Sequence, residues 1–252
     1  MFESKERRKQ RKEIQAWIRI AREEGPSFME GAEPRGDLTP YEDRVVVDVG
    51  CGPRPYVERL PTRLAFMVDC CMLGYLQEGL LNESSIARVC CVDAMAERLP
   101  FRSGSVDVIL AINMLDHTLD PPRVVDEFDR VLRPAGTLHL HVDIGGKPNA
   151  CEPVVFTEAA LDELLSRFRP TWRATGEPSN PSRHHRVMIA LAKEGARGDE
   201  EEVDARDYLD VLVSPDTGGR LERRGERLVT EGGRPEYEIV GGVFVLRPRR
   251  GT

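Results

Sequence analysis

The sequence predicts an α/β fold built on a parallel sheet with crossover helices, followed by a small β-rich unit at the C-terminus. Three observations carry that expectation. Short apolar runs alternate with helical patterns between residues 44 and 193, as strands joined by helices do. Successive runs end in Gly or Asp, the residues that suit strand ends facing a ligand cleft. After residue 208 the pattern changes to short strand-like pieces parted by Gly-rich turns.

Taken in order, residues 4–23 have the spacing of a basic amphipathic helix, with Ile14, Trp17, Ile18 and Ala21 on one face. A polar loop with Gly25, Pro26, Gly31, Pro34 and Gly36 follows. Strands are expected at 44–50, 64–71, 86–94, 106–113 and 137–144, and a closing one at 186–193. Helices are expected at 54–60, 72–79, 95–98, 121–132 and 157–167. Thr157 can cap the last, because its hydroxyl can accept from an unpaired first-turn amide. Residues 194–207 are charged and lack a periodic face, so they read as a linker. The chain then divides into a helix and loop (1–43), an α/β domain (44–193), the linker and a β module (208–252).

With 252 residues, 40% of them hydrophobic, the chain can bury a core without a disulfide or metal staple. The net charge of −7 argues against a general nucleic-acid coat protein. No stretch is long and apolar enough to span a membrane, and residues 1–25 lack a signal core, so a cytoplasmic protein is expected. None of the six cysteines forms a C-x-x-C pair, and four stand as doublets in apolar segments. They read as small buried thiols, and no metal is expected.

The chemistry starts at VVVDVGCG. A buried strand carries Asp48 near its end, and Gly50-Cys51-Gly52 turns the backbone sharply with no Cβ at the glycines to obstruct a ligand. Pro55 breaks the G-x-G-x-x-G fingerprint, which counts against a dinucleotide. Asp69 ends the next strand, where a carboxylate can accept both ribose hydroxyl protons of a nucleoside. Asp93 ends the third, where it can accept from an adenine amine. The plain alternatives are a tight turn without a ligand and solvated carboxylates at strand ends.

Residues 44–143 resemble the class I S-adenosylmethionine-dependent methyltransferases. The matching residues are Asp48-Val49-Gly50-Cys51-Gly52, Leu99-Pro100-Phe101, Ser105 to Ile109, Leu115-Asp116-His117, Asp120-Pro121 and Arg130 to Gly136. The resemblance implies a Rossmann-like seven-stranded sheet with its last strand antiparallel, and S-adenosylmethionine as cofactor. It places Gly50 and Gly52 beside the methionine part, Asp69 on the ribose, Asp93 and Ala94 around the adenine, and Asn113 near the sulfonium and methionine amine. Arg54 departs from the family, which often has Gly there; it either pairs with the cofactor carboxylate or points outward.

Methyl transfer is an in-line displacement, so the protein mainly positions and desolvates, while a hydroxyl acceptor benefits from a base. His117 is the candidate base, with Asp116 as the residue that orients it. A structural role for His117, capping or bonding the next loop, and a simple turn at Asp116 also fit. His139, His141 and Asp143 share one face of a strand and could ligate a metal, although strand packing suits them better. His184 and His185 could line the acceptor pocket or sit in an exposed loop. Asn113-Met114-Leu115-Asp116 stands where amine-methylating relatives carry N-P-P-Y or D-P-P-Y, which lowers the odds of adenine or glutamine as acceptor.

Residues 208–247 resemble a second family, the zinc-ribbon-like proteins that bind and activate methyltransferases. Leu209 to Val213, Pro215, Gly218, Leu221, Tyr237 to Val243 and Val245-Leu246 carry the match. Ser214, Thr217 and Thr230 replace the cysteines, and hydroxyls are poor zinc ligands. The resemblance implies a module that docks by strand pairing, in cis or on a second copy, without zinc. The leading expectation is a methyltransferase with a small-molecule acceptor. An RNA or protein methyltransferase with a fused activator, and a non-catalytic cofactor-binding scaffold, are the alternatives.

Overall fold

The computed structural model describes residues 4–24, 41–195 and 205–249. The expected polar loop and most of the charged linker lie outside the described residues. Helix α1 (Lys5–Glu24) comes first. Strands β1 (Val45–Val49), β2 (Leu64–Asp69), β3 (Cys90–Asp93) and β4 (Val106–Ile112) follow, with α2 (Met72–Gln77) and α3 (Glu83–Arg88) between β2 and β3. Then come α4 (Pro121–Val131), β5 (Leu132–Ile144), α5 (Glu158–Leu164), β6 (Phe168–Gly176) and β7 (His185–Lys193). The C-terminal strands are β8 (Leu221–Arg224), β9 (Arg227–Thr230), β10 (Glu236–Val240) and β11 (Val243–Val245).

The order β6-β7-β5-β4-β1-β2-β3 is that of a Rossmann-like sheet. β7 alone among these seven runs antiparallel to its neighbours, β5 and β6. Every residue of β1 is buried, and six of the seven in β4, because these strands are covered on both faces. Helix α4 starts where Asp120 accepts from the Arg123 amide at 3.2 Å and Pro121 fills the first turn. Its Val124, Val125, Phe128 and Val131 are buried. Thr157 caps α5 through the Ala160 amide at 3.1 Å, as its sequence suggests.

Three expectations need correction. The helix at 54–60 shrinks to a single 3-10 turn at Val57–Arg59. The strand expected from residue 86 starts at Cys90, because Asn82 caps the Ser84 amide at 2.9 Å and starts helix α3 first. Strand β6 falls where the sequence suggested no element. Its pattern has no apolar alternation, and Pro170 is tolerated because β6 pairs only with β7 at the sheet edge.

The C-terminal strands continue the same sheet. β11 pairs with β3 in parallel, with Val243 opposite Cys91 and Val245 opposite Asp93. Phe101 bridges Leu212, and the Val213 amide donates to Pro100 O at 3.0 Å. Val211, Leu212 and Leu246 join Leu99 and Phe101 in one buried cluster. At the positions that lack cysteine, Ser214 Oγ lies 2.7 Å from Tyr237 Oη and accepts from the Asp216 and Thr217 amides. Thr230 Oγ1 donates to Arg234 O at 2.6 Å. These hydrogen bonds hold the turns at Ser214 and Thr230.

Candidate functional site

The carboxyl ends of β1, β2 and β4 open on one cavity of about 690 Å³. Its floor is the turn after β1. The Gly50 amide donates to Val68 O at 2.8 Å. Gly50 has φ +67°, and a Cβ there would lie 2.4 Å from Met114 Cβ, so only glycine permits this approach. Asp48 lies outside the cavity lining and holds the turn from beneath. Its Oδ2 accepts from the Tyr56 amide at 2.7 Å and the Val57 amide at 3.4 Å, while Oδ1 is buried without a partner. Burial pushes Asp48 up to about 7 against those donors, and the charge of Asp69 adds to the rise.

Asp69 lines the cavity. Its two oxygens accept from the Gly52 amide at 3.0 Å and the Cys71 amide at 2.7 Å. Each oxygen keeps a further lone pair. Burial pushes Asp69 up to about 6, against the pull of those amides. Asn113, at φ +55°, lines the cavity beyond β4, and its Oδ1 is buried without a partner. Cys51 and Ala94 also line it.

Asp93 does something else. Its carboxylate accepts from the Leu73 amide at 2.9 Å, at the start of α2, and pairs with Arg247, which also donates to Cys70 O. Fully buried, Asp93 is absent from the cavity lining. The Asp93 side chain thus serves the packing of α2 and the C-terminal strand, while its neighbour Ala94 lines the cavity.

Helix α1 roofs the cavity. Trp17 lies against the turn, where a Cβ on Gly52 would come within 2.8 Å of its ring. Arg54 pairs with Glu24 at the end of α1, so it points to the helix. Glu13 Oε1 sits 2.9 Å from His117 Nδ1 and 3.4 Å from Lys9 Nζ. His117 lines the cavity, and its Nε2 is buried without a partner. Burial lowers the His117 pKa, but the hydrogen bond and charge of Glu13, helped by Asp116, outweigh it and the net shift is upward.

Asp116 does not orient His117. Its carboxylate makes no hydrogen bond, and Arg183 Nη2 stands 3.8 Å away. The orienting group is Glu13, 104 residues distant in the chain. Its sequence signal was its place one turn before Trp17 on the apolar face of α1. Arg247, the partner of Asp93, left no such signal.

The His139, His141 and Asp143 face holds no ligand cluster among the described residues. Asp143 accepts from Arg186 and the Asn180 amide, and His139 packs on Tyr41. His185 bonds Glu158 at 2.8 Å. Asp69, Cys70 and Cys71 do bring ligand atoms within 4.8 Å of one another. Two amides already occupy Asp69, and Cys70 together with burial pushes the Cys71 thiol well up. Protonated thiols are poor metal ligands.

A sheet of this order, with a Gly turn and an acidic strand end at its carboxyl edge, defines the methyltransferase architecture. Comparison with known proteins agrees: residues 47–140 match the family model for the methyltransferase domain. A ubiquinone biosynthesis O-methyltransferase of Pseudomonas paraeruginosa is 28% identical over 145 residues, covering 54% of this chain and 60% of that protein. An uncharacterised methyltransferase of Mycobacterium bovis is 32% identical over 104 residues, 41% of each chain. The chain thus spans well under two thirds of the curated relatives' length. In fold, it is similar to a chain in the complex between the Haloferax volcanii Trm112 methyltransferase activator and a putative methyltransferase. That similarity has a TM-score of 0.50 at 14% identity and covers 72% of this chain and 98% of the other.

Proposed function

We propose that the chain is an S-adenosylmethionine-dependent methyltransferase with a small-molecule acceptor. The observation that carries this reading is Asp69, a carboxylate fixed by two backbone amides at the rim of a roofed cavity. Its remaining lone pairs suit the ribose hydroxyls of a nucleoside. Asn113 Oδ1, buried and unpartnered, suits an ammonium donor such as that of the methionine moiety. Ala94 leaves apolar room for the adenine. When bound, the cofactor supplies an electrophilic methyl group on sulfur. The chain's own residues bind, orient and exclude water, with α1 as the roof.

A cavity of about 690 Å³ under a helix favours a small acceptor over a polymer. The net charge of −7 points the same way. We also propose that residues 208–249 serve as a built-in, metal-free activator-like module. The pairing of β11 with β3, which covers what would be an open sheet edge, supports that role.

Calorimetric titration with S-adenosylmethionine tests the cofactor assignment. Micromolar-range binding is expected for the folded protein, weakened roughly 10- to 100-fold in Asp69→Ala through loss of charge-assisted hydrogen bonds. Failure of the folded wild type to bind would favour a scaffold instead.

A further inference from the structure

We infer that Glu13 on the roof helix positions His117 as the general base of this site, and that the acceptor group is a hydroxyl. The inference rests on the methyl-transfer reading above. Its geometry is that of a carboxylate–imidazole pair. Glu13 Oε1 lies 2.9 Å from His117 Nδ1, which fixes the tautomer with hydrogen on Nδ1. Nε2 is then a bare lone pair, buried and unpartnered on a residue that lines the cavity. A buried acceptor with no protein donor is what a substrate O–H would satisfy.

The sequence neighbour Asp116 cannot take the orienting role, since it makes no hydrogen bond and faces Arg183 instead. Glu13 lies outside residues 47–140, the segment that matches the methyltransferase domain. The base is thus assembled from the common fold and from this chain's own N-terminal helix, and it is complete only while α1 covers the cavity.

In the transfer step Nε2 takes the hydroxyl proton, the acceptor oxygen forms a bond to the methyl carbon, and the C–S pair stays on sulfur. The products are a methyl ether, the neutral thioether S-adenosylhomocysteine and an imidazolium at His117. Glu13 stabilises that imidazolium. Burial is the largest influence on the His117 pKa and lowers it; Glu13 and Asp116 raise it and prevail, while Lys9, 3.4 Å from Glu13, opposes them.

The test uses the full chain with nitrogen-15 labelled histidine. Binding of S-adenosylhomocysteine is first measured on each sample, so that failure of the cofactor reading is seen separately. NMR titration of His117 is expected to show hydrogen on Nδ1 in the neutral form and a pKa above the ordinary histidine value. In Glu13→Gln that pKa falls below the ordinary value, and Glu13→Asp restores part of the rise. Methyl transfer from labelled S-adenosylmethionine to a catechol probe is followed from pH 5 to pH 9. The acid limb of kcat should track the NMR pKa and move to lower pH in Glu13→Gln. At the plateau kcat should drop about 10- to 100-fold, with KM for the cofactor unchanged.

Hydrogen on Nε2, or an unmoved His117 pKa in Glu13→Gln, overturns the assignment. So does an equal loss of rate at every pH, which a merely structural contact would give. A wild type that methylates an aniline or thiophenol probe while leaving the catechol untouched overturns the hydroxyl-acceptor half.

Discussion

Asp69 and Asp93 end adjacent parallel strands and stand opposite each other in the sheet register. From sequence alone they look like two halves of one nucleoside site. In the fold, one faces the cavity with lone pairs to spare, and the other is enclosed by the Leu73 amide and Arg247. The difference comes from what lies on the far side of β3. With β11 added there, the strand is interior to the sheet and its terminal carboxylate neutralises a cation from the C-terminal segment. A carboxylate at a strand end is thus a ligand only if the neighbouring chain leaves it one.

Removing Asp93 should hurt the fold far more than the site. Asp93→Ala strands Arg247 against a buried surface and frees the Leu73 amide, at a cost of roughly 3 kcal/mol. Calorimetric melting should then show a drop of roughly 6–12 °C for a chain of this size. Cofactor affinity should change less than threefold, the reverse of the pattern expected for Asp69→Ala. If Asp93→Ala loses cofactor binding at full stability, the carboxylate belongs to the site after all.

A smaller effect separates the two by pH. Burial pushes the Asp69 carboxyl up to about 6, and only its ionised form offers both oxygens as acceptors to the proposed ribose. Affinity should be full above pH 6 and decline as the pH falls through that value, by up to about tenfold per unit. Titrations at pH 5 and pH 7.5 check it. Asp69→Asn should flatten the dependence; an unchanged slope would place the titration elsewhere.

The parts of the fold that local chemistry dictates were legible in the sequence. β1 and β4 are buried on both faces, so they read as continuous apolar runs, and Thr157 announces its helix by capping. Gly50, Cys51, Gly52, Asp69, Ala94 and Asn113 do meet at one cavity, because strand ends at one sheet edge converge. What failed depends on distant partners. Glu13 reaches His117 across 104 residues, and Arg247 reaches Asp93 across 154. Asp116 misled because it adjoins His117 in sequence. On a 3-10 turn, successive side chains point about 120° apart, so neighbours do not share a partner. β6 escaped because an exposed edge strand containing Pro170 carries no apolar period.

A third carboxylate, Asp48 on β1, should show the smallest effect. It lies outside the cavity lining, and burial raises its pKa to about 7. A raised carboxylate stabilises the fold most at low pH, and that contribution fades as the pH rises from about 4, where the unfolded chain ionises, through 7. Asn in its place keeps an oxygen for the Tyr56 and Val57 amides and carries no charge to bury. Asp48→Asn should therefore match the wild type near pH 4 and melt a few degrees higher at pH 8, with cofactor affinity within about twofold. Melting curves at the two pH values decide it. A variant less stable at pH 8 would mean that the ionised carboxylate, not its shape, holds the turn beneath Gly50.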